Sequence, residues 1–497
     1  MFHFVQLALR LVIFLILLAA SWVAVVKRTG KQKFTDTVCL KLAEKFSANE
    51  IEIRGVSRER GKFTIHRLAM FNEESSFFRG LEFANLVCQR DFFVDFGKTW
   101  KPGIVEISKV NLSLRAGADS DEGAQAIGDV LFQDLGSLKP DAIHVANMSM
   151  RWGYTERSRG SINESQMKAV PVAGGWRLSF RGGTFSQNWL KRLQIEELDV
   201  VITREGIRFD NAVFSKNGGS MVLEQFEVVA GQRPEVSGQM KIKAMNISSM
   251  LPMVARAYVS GKISGEFIVS GSTNSTGGIG FDGEVSLQDG DVITLRDRLP
   301  LLRAMSAVDS NHDYRHVDFR VGSFQMEMKG QGLKLSDVKL FADDTMSLTG
   351  ELFIRKPKSD EELVLDDGSE FFGEIVTADE SGEDVDISLR EAGEVSNRNE
   401  FGFEVEGDKS LFGKLAVLRE NRRMREFESE KLSRSYRYEG EFNVTLMKTA
   451  FDRSPTLKAV YPAATEAGRI PITVPIKGLL YEVTGDLANE IYEKGGR

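Results

Sequence analysis

The chain has 497 residues, of which 42% are hydrophobic and 27% charged, so it can build a large core and is not globally disordered. Two cysteines (Cys39 and Cys88) and five histidines leave little material for thiol or metal chemistry, and a formal charge of −7 argues against a general nucleic-acid binder. Glycine (46) far exceeds proline (11), and 33 residues are phenylalanine; this suits a β-rich chain with glycine turns and excludes collagen-like, coiled-coil and disulfide-scaffold classes.

Residues 1–33 read as a membrane anchor and its basic flank. Leu11 to Val26, with Phe14, Leu17 and Trp22, is an apolar run whose only mildly polar members are Ser21 and Trp22. Extended back to Phe4 it reaches the ~20 residues a helix needs to cross a ~30 Å hydrocarbon layer. Lys27, Arg28, Lys31 and Lys33 close it. The rival is a cleaved signal peptide ending near Ala19-Ala20-Ser21, but hydrophobicity continues past that point. With only Arg10 ahead of the span, positive-inside counting puts the body of the chain in the cytoplasm, although long domains translocate regardless of such local charge.

After a short helical stretch (Phe34 to Phe46), residues 34–245 read as strands that share one pattern. Two alternating apolar residues are followed by a slip of one position and then by two more. The pattern occurs at Phe63, Ile65, Leu68, Met70; at Val105, Ile107, Val110, Leu112; at Ile143, Val145, Met148, Met150; and at Leu193, Ile195, Leu198, Val200. It returns at Met221, Leu223, Phe226, Val228, beyond residue 245 at Leu333, Leu335, Val338, Leu340, and more weakly at Ile207, Phe209, Ala212, Phe214. Alternation makes one strand face apolar, and the added residue would flip that face unless a bulge or bend absorbs it. Long, bent strands with all apolar faces turned one way follow. Helices that could cover them are few: Ile247 to Val259, Pro300 to Val308, and the Ser410 to Ser435 region. An apolar sheet face without a protein layer closes on itself or meets other apolar material. An ordinary series of amphipathic strands in β-sandwiches is the plain alternative.

Residues 246–355 carry phrases in a recognisable order. They run Gly261-Lys-Ile-Ser-Gly265-Glu-Phe-Ile-Val-Ser-Gly271, then Phe281-Asp-Gly-Glu-Val-Ser-Leu-Gln-Asp-Gly290-Asp-Val, then the short helix Leu299-Pro-Leu-Leu-Arg-Ala-Met305. Phe319-Arg-Val-Gly-Ser-Phe324, Gly332-Leu-Lys-Leu-Ser-Asp337-Val-Lys-Leu and Leu348-Thr-Gly350-Glu-Leu follow. Near the end stands Arg469-Ile-Pro-Ile-Thr-Val-Pro475-Ile-Lys-Gly478. This order resembles the C-terminal region of the AsmA-like family (AsmA- and TamB-type proteins), and the N-terminal order of membrane helix, short helix and repeated strands fits it too. The resemblance covers about a quarter of the chain by phrase and departs from the family in the acidic insertion and the charged helix after it.

The resemblance implies a mainly β fold: an N-terminal transmembrane helix, then a long curved β-groove of bent strands with a few short helices. It also implies an inner-membrane, single-pass protein of a diderm bacterium, with the bulk of the chain periplasmic. Such a protein acts in cell-envelope and outer-membrane biogenesis, carrying phospholipid along the groove and meeting an outer-membrane or envelope partner. The groove lining would comprise Phe63, Ile65, Val105, Ile107, Ile143, Val145, Leu193, Ile195, Leu223, Phe226, Leu333 and Leu335. No catalytic residue, cofactor or metal is expected, and no nucleic acid. The alternative is a structural or assembly scaffold of the envelope with the same β body and a protein-filled core.

Other candidate motifs are weaker. Gly278-Ile-Gly280-Phe-Asp-Gly283 has dinucleotide-site spacing, but a strand rather than a helix follows it. His312 and His316 stand four apart beside Asp309, Asp313 and Asp318, in a segment that reads as a loop entering a strand rather than a metal-binding helix. Residues 356–400 form an acidic insertion or linker; from 360 onward fifteen Asp or Glu face only Arg390 and Arg398, a local −13 that leaves +6 for the rest. Residues 401–497 hold a charged helix and closing strands. Leu411, Leu415 and Leu418 within it have helical spacing. Cys39 and Cys88 could pair in an oxidising periplasm, but sequence does not place them in contact.

Overall fold

A computed structural model describes residues 48–59, 62–72, 78–89, 101–114, 140–152, 160–187, 190–230, 234–251, 253–272, 279–329, 332–343, 345–357, 435–462, 468–480 and 485–495. Single positions between 35 and 43, at 411, 413 and 415, and at 483 are also described. The described chain is mainly β with few helices, as its alternation predicts.

The strands are β1 (Glu50–Glu59), β2 (Lys62–Phe71), β3 (Phe78–Cys88), β4 (Ile104–Leu114), β5 (Ala142–Trp152), β6 (Gly160–Val172) and β7 (Gly175–Arg181). They continue as β8 (Thr184–Gln187), β9 (Leu190–Thr203), β10 (Gly206–Lys216), β11 (Gly219–Val229), β12 (Glu235–Asn246), β13 (Val259–Ser272) and β14 (Ile279–Ser286). The last are β15 (Val292–Arg296), β16 (His316–Phe319), β17 (Val321–Lys329), β18 (Gly332–Ala342), β19 (Met346–Arg355), β20 (Arg437–Leu446) and β21 (Ile470–Leu479). All 21 belong to one sheet.

The pairing follows chain order. Antiparallel neighbours succeed one another up to β13, except that β4 and β5 run parallel, and beyond it β14 pairs β17 while β15 pairs β16. β7 and β8 lie end to end between β6 and β9, and β14 and β15 share β13 in the same way. The sheet is continuous across residues 245 and 246, where β12 pairs β13, and across the acidic insertion, where β19 pairs β20. Among the described residues β1 pairs only with β2 and β21 only with β20, so these two are the outer edges of the sheet; the short β16 likewise pairs only with β15.

The slip has a structural counterpart. In β1 to β5 the ladder omits one position per strand at the same level: Gly55, His66, Asn85, Ser108 and Ala146. The interruptions form one transverse crease rather than scattered defects, and both apolar pairs of each strand stay on the same face. Further along, true bulges do this work, with two residues opposed to one between Glu224 and Glu227, Ile242 and Met245, and Leu335 and Val338. The residue just before the second apolar pair turns left-handed in several strands, with φ near +50° at Asn85, Gln225, Ala244 and Asp337. Gly55, at φ +67°, holds that position in β1, and a Cβ there would sit 2.5 Å from the His66 ring.

A left-handed bulge residue turns its N–H away from the ladder, and that donor needs another acceptor. Three strands solve this alike. The amides of Glu164, Arg192 and Ala244 donate to the hydroxyls of Ser149, Ser186 and Ser264 on the neighbouring strand, at 3.2, 2.9 and 3.0 Å.

Three α-helices are described: α1 (Pro300–Val308), α2 (Pro455–Val460) and α3 (Asp486–Gly495). α1 begins on Pro300, where the missing N–H costs nothing, and buries Leu302, Ala304, Met305 and Val308. α3 buries Ala488 and Ile491. Gly495 lets the three helices meet, since a Cβ there would lie 2.3 Å from Val308 and 2.8 Å from Leu457. The helix expected over Ile247 to Val259 is instead two short 3-10 turns, Ile247–Ser249 and Met253–Ala257. Pro252 in its middle lacks the N–H that a continuous helix requires. α2 and α3 stand outside the helices expected from the sequence, although Leu487, Ala488 and Ile491 carry helical spacing.

Among the described residues no helix is long and apolar enough to cross a membrane. The anchor positions Leu11, Phe14, Leu17, Trp22 and Val26 lie outside the described residues, as do residues 358–400.

Candidate functional site

One hydrophobic cluster extends from β2 to α3 and draws on almost every strand. Its members are the inward residues of the alternating pairs, so each quoted repeat points at the same interior. The opposite face carries the ion pairs, together with a few exposed apolar residues such as Ile268 and Phe341. There Arg67 reaches Glu82 at 2.9 Å, Arg177 reaches Asp210 at 3.0 Å, and Lys241 reaches Glu224 at 2.9 Å.

All twelve expected lining residues belong to or pack against this cluster, in two kinds of environment. Phe63, Ile65, Val105, Ile107, Val145, Leu193, Ile195, Phe226 and Leu333 are buried, Leu193 completely. Ile143, Leu223 and Leu335 are only half-buried and pack against the cluster from its margin. They belong to a larger set of half-buried apolar residues, which the strand registers intersperse among the buried ones. That set includes Leu86 on β3, Leu178 on β7, Phe209 on β10, Leu348 and Leu352 on β19, and Phe442 on β20. Alternation marks both kinds of position identically. The half-buried positions are where an apolar guest could touch the protein without displacing the core.

The polar groups that follow α1 are mutually satisfied. Asp309 follows α1 with its carboxylate 1% exposed. It accepts from the Tyr314 hydroxyl at 3.0 Å and the Asn311 amide at 2.8 Å, with His312 Nδ1 2.8 Å away. Burial, then the Asp309 charge and hydrogen bond, push the Tyr314 phenol well above its ordinary value. His316, by contrast, lies on β16 opposite Arg296. The two histidines therefore serve different elements, and no group of three or more metal-ligating side chains forms among the described residues. On the polar face, burial raises the Asp199 carboxyl but hydrogen bonds from Arg181 and Ser179 outweigh it, leaving a net lowering typical of a structural ion pair.

Gly280 and Gly283 lie within β14, which pairs with β13 and β17. A Cβ on Gly283 would come within 2.0 Å of the Glu266 carbonyl. Close strand approach accounts for that glycine, and no helix follows to receive a pyrophosphate. Both cysteines are free thiols, Cys39 half-buried and Cys88 fully buried. Burial pushes the Cys88 thiol up to about 12. Leu411 and Leu415 pack against Ala69 and Phe71 on β2, and the Leu411 amide donates to Glu52 at 2.8 Å.

Comparison of the chain with protein-family models, with curated proteins and with solved structures finds no match.

Proposed function

We propose that this chain is an inner-membrane-anchored periplasmic protein of diderm envelope biogenesis, carrying phospholipid along the apolar face of a curved sheet between inner and outer membrane. The observation that supports the reading is the set of half-buried apolar residues that recurs on strands from β3 to β21 along the apolar face of one continuous sheet. Each acyl CH₂ removed from water against such a strip contributes about 0.8 kcal/mol, while headgroups stay solvated. Transfer of this kind breaks no bond and needs neither cofactor nor metal. The resemblance to AsmA-like proteins supplies the compartment and the partner class.

A second reading rests on the burial of nine of the twelve lining positions, Phe63 and Leu193 among them. A core that its own side chains fill describes an envelope scaffold rather than a carrier. Photo-crosslinkers at Leu335 and Ile143 decide between the two. The carrier predicts lipid adducts by mass spectrometry after mild detergent extraction. Adducts to protein alone, with no co-purifying lipid, establish the scaffold. The anchor is tested separately: resistance to carbonate washing with an intact N-terminus supports it, and a mature start near Trp22 excludes it.

A further inference from the structure

Arg192, Lys216 and Arg256 meet where the start of β9, the end of β10 and the 3-10 turn Met253–Ala257 come together. The turn Asn217-Gly218, with φ +51° and +83°, joins β10 to β11 and leaves Lys216 at the tip of that hairpin. Ser215 stands opposite Gln194, so Lys216 lies level with the bulge that opens β9, and its ammonium donates to the Lys191 carbonyl. Arg192 is the next residue of that bulge. Its φ of +54° turns its amide to the Ser186 hydroxyl at 2.9 Å, which fixes the point from which its side chain leaves the sheet. Arg256 is tied by a bond of 3.2 Å from its Nε to the Leu251 carbonyl.

Burial, then the Arg256 and Arg192 charges, hold the Lys216 ammonium below its ordinary value. Among the described residues none of these cations pairs with a carboxylate; Glu196 accepts instead from the hydroxyl of Ser215. Like charges gathered around a half-buried ammonium are unfavourable, and local rules are broken in this way at functional sites, where a bound anion restores the balance. Guanidinium groups beside an ammonium match the oxygens of a phosphate, which accepts from several N–H donors at once. Apolar surface adjoins them, because Leu190 and Leu251 are half-buried and pack against the margin of the hydrophobic cluster. An inorganic ion does not use that surface, whereas the acyl chains of a phosphate ester do. We infer that Arg192, Lys216 and Arg256 bind the phosphate of an anionic amphiphile, whose acyl chains lie on the half-buried apolar residues. This site deepens the carrier reading, on which it rests, by locating where a headgroup is held.

The test is thermal unfolding of the full chain in a nonionic detergent, with dihexanoyl phosphatidate, dihexanoyl glycerol or inorganic phosphate as probe. A ligand that binds only the folded state raises the melting temperature. In the wild type phosphatidate should give the largest rise and the uncharged dihexanoyl glycerol the smallest. Arg192→Gln and Arg256→Gln should each weaken the apparent phosphatidate affinity about tenfold. Without ligand both should melt no lower than the wild type, since each removes a like charge. Lys458→Gln on α2 should respond as the wild type does, which separates binding at the site from general screening. Equal phosphatidate affinity in the wild type and both arginine variants, or no rise with phosphatidate, overturns the site; lipid adducts at Leu335 and Ile143 then leave the carrier reading standing without it. An arginine-dependent phosphatidate response with no lipid adduct at Leu335 or Ile143 supports the site and removes the carrier instead. An arginine-dependent response to inorganic phosphate as large as that to phosphatidate assigns the cations to a soluble phosphate and overturns the headgroup.

Discussion

Ser264 has a hydroxyl whose main role is to hold a backbone amide. It is buried and accepts from Ala244, whose left-handed conformation takes its N–H out of the ladder. Ser264→Ala leaves that donor without an acceptor, a loss of about 1–3 kcal/mol that should appear as a lower urea midpoint. Gln225 is the converse case. It holds φ +49° at an exposed bulge, where a side chain costs about 1–2 kcal/mol and glycine costs nothing. Glycine also loses more chain entropy on folding, so Gln225→Gly should raise stability by roughly 0.5–1 kcal/mol in the same measurement.

Two buried acids set the alkaline limit. The Cys88 thiol moves from an ordinary 9.0 to about 12 on folding, and the Tyr314 phenol rises from an ordinary 10.0. Above pH 9 the unfolded chain therefore releases protons that the folded chain retains, and stability falls as pH rises. The stabilisation is complete below pH 9 and is lost progressively toward pH 12 for the thiol, with the phenol contributing from about pH 10 upward. Melting temperatures followed from pH 8 to 11 should decline less steeply in Cys88→Ala. Tyr314→Phe should flatten only the upper part of that range. A decline unchanged in both variants would assign it to other groups.

At the scale of elements, the two sheet edges are not equivalent. Alternate residues of an edge strand direct both N–H and C=O away from the sheet. Pro471 and Pro475 in β21 stand opposite Thr445 and Glu441 in an otherwise unbroken ladder, so both prolines occupy outward positions. They remove two donors from the free edge and hinder another strand from adding there. The double change Pro471→Thr with Pro475→Thr should leave the β20–β21 pairing intact and promote concentration-dependent self-association in light scattering. Unchanged monodispersity would mean that charge or neighbouring segments protect this edge instead. The β1 edge carries no proline. It relies on Glu50, Glu52, Arg54 and the Gly55 turn.

For the whole molecule, the distinction between buried and half-buried apolar positions gives the sharpest test. Ile107 is 6% exposed within the cluster, so Ile107→Asp should cost several kcal/mol and collapse the surrounding strands, with loss of β signal in circular dichroism. Leu335→Asp, at the half-buried margin, can keep its carboxylate partly hydrated or protonated. In a lipid carrier it should retain most of the β signal while bound lipid is lost. If both variants unfold alike, the half-buried positions belong to the core and the carrier reading fails.

The repeated pairs and their slip were legible in the sequence because alternation is local: each strand states its own apolar face within ten residues. The glycine-rich turns and α1, with Pro300 at its first position, were legible for the same reason. α2 and α3 were not. Their six and ten residues carry weak periodicity, and helices this short depend on packing against partners such as Val308 and Leu457. The crease was not legible either. It exists because Gly55, His66, Asn85, Ser108 and Ala146 fall at one level, which depends on the register between strands rather than on any single strand. Register also decided which of two identically patterned residues, Ile107 or Leu335, is sealed and which is reachable, and it placed Arg355 against Arg437 across a long insertion. The sequence alone determined a chain of one-faced strands; tertiary structure decided where those faces seal and where they stay open, because strand pairing joins distant residues through contacts that local preference does not encode.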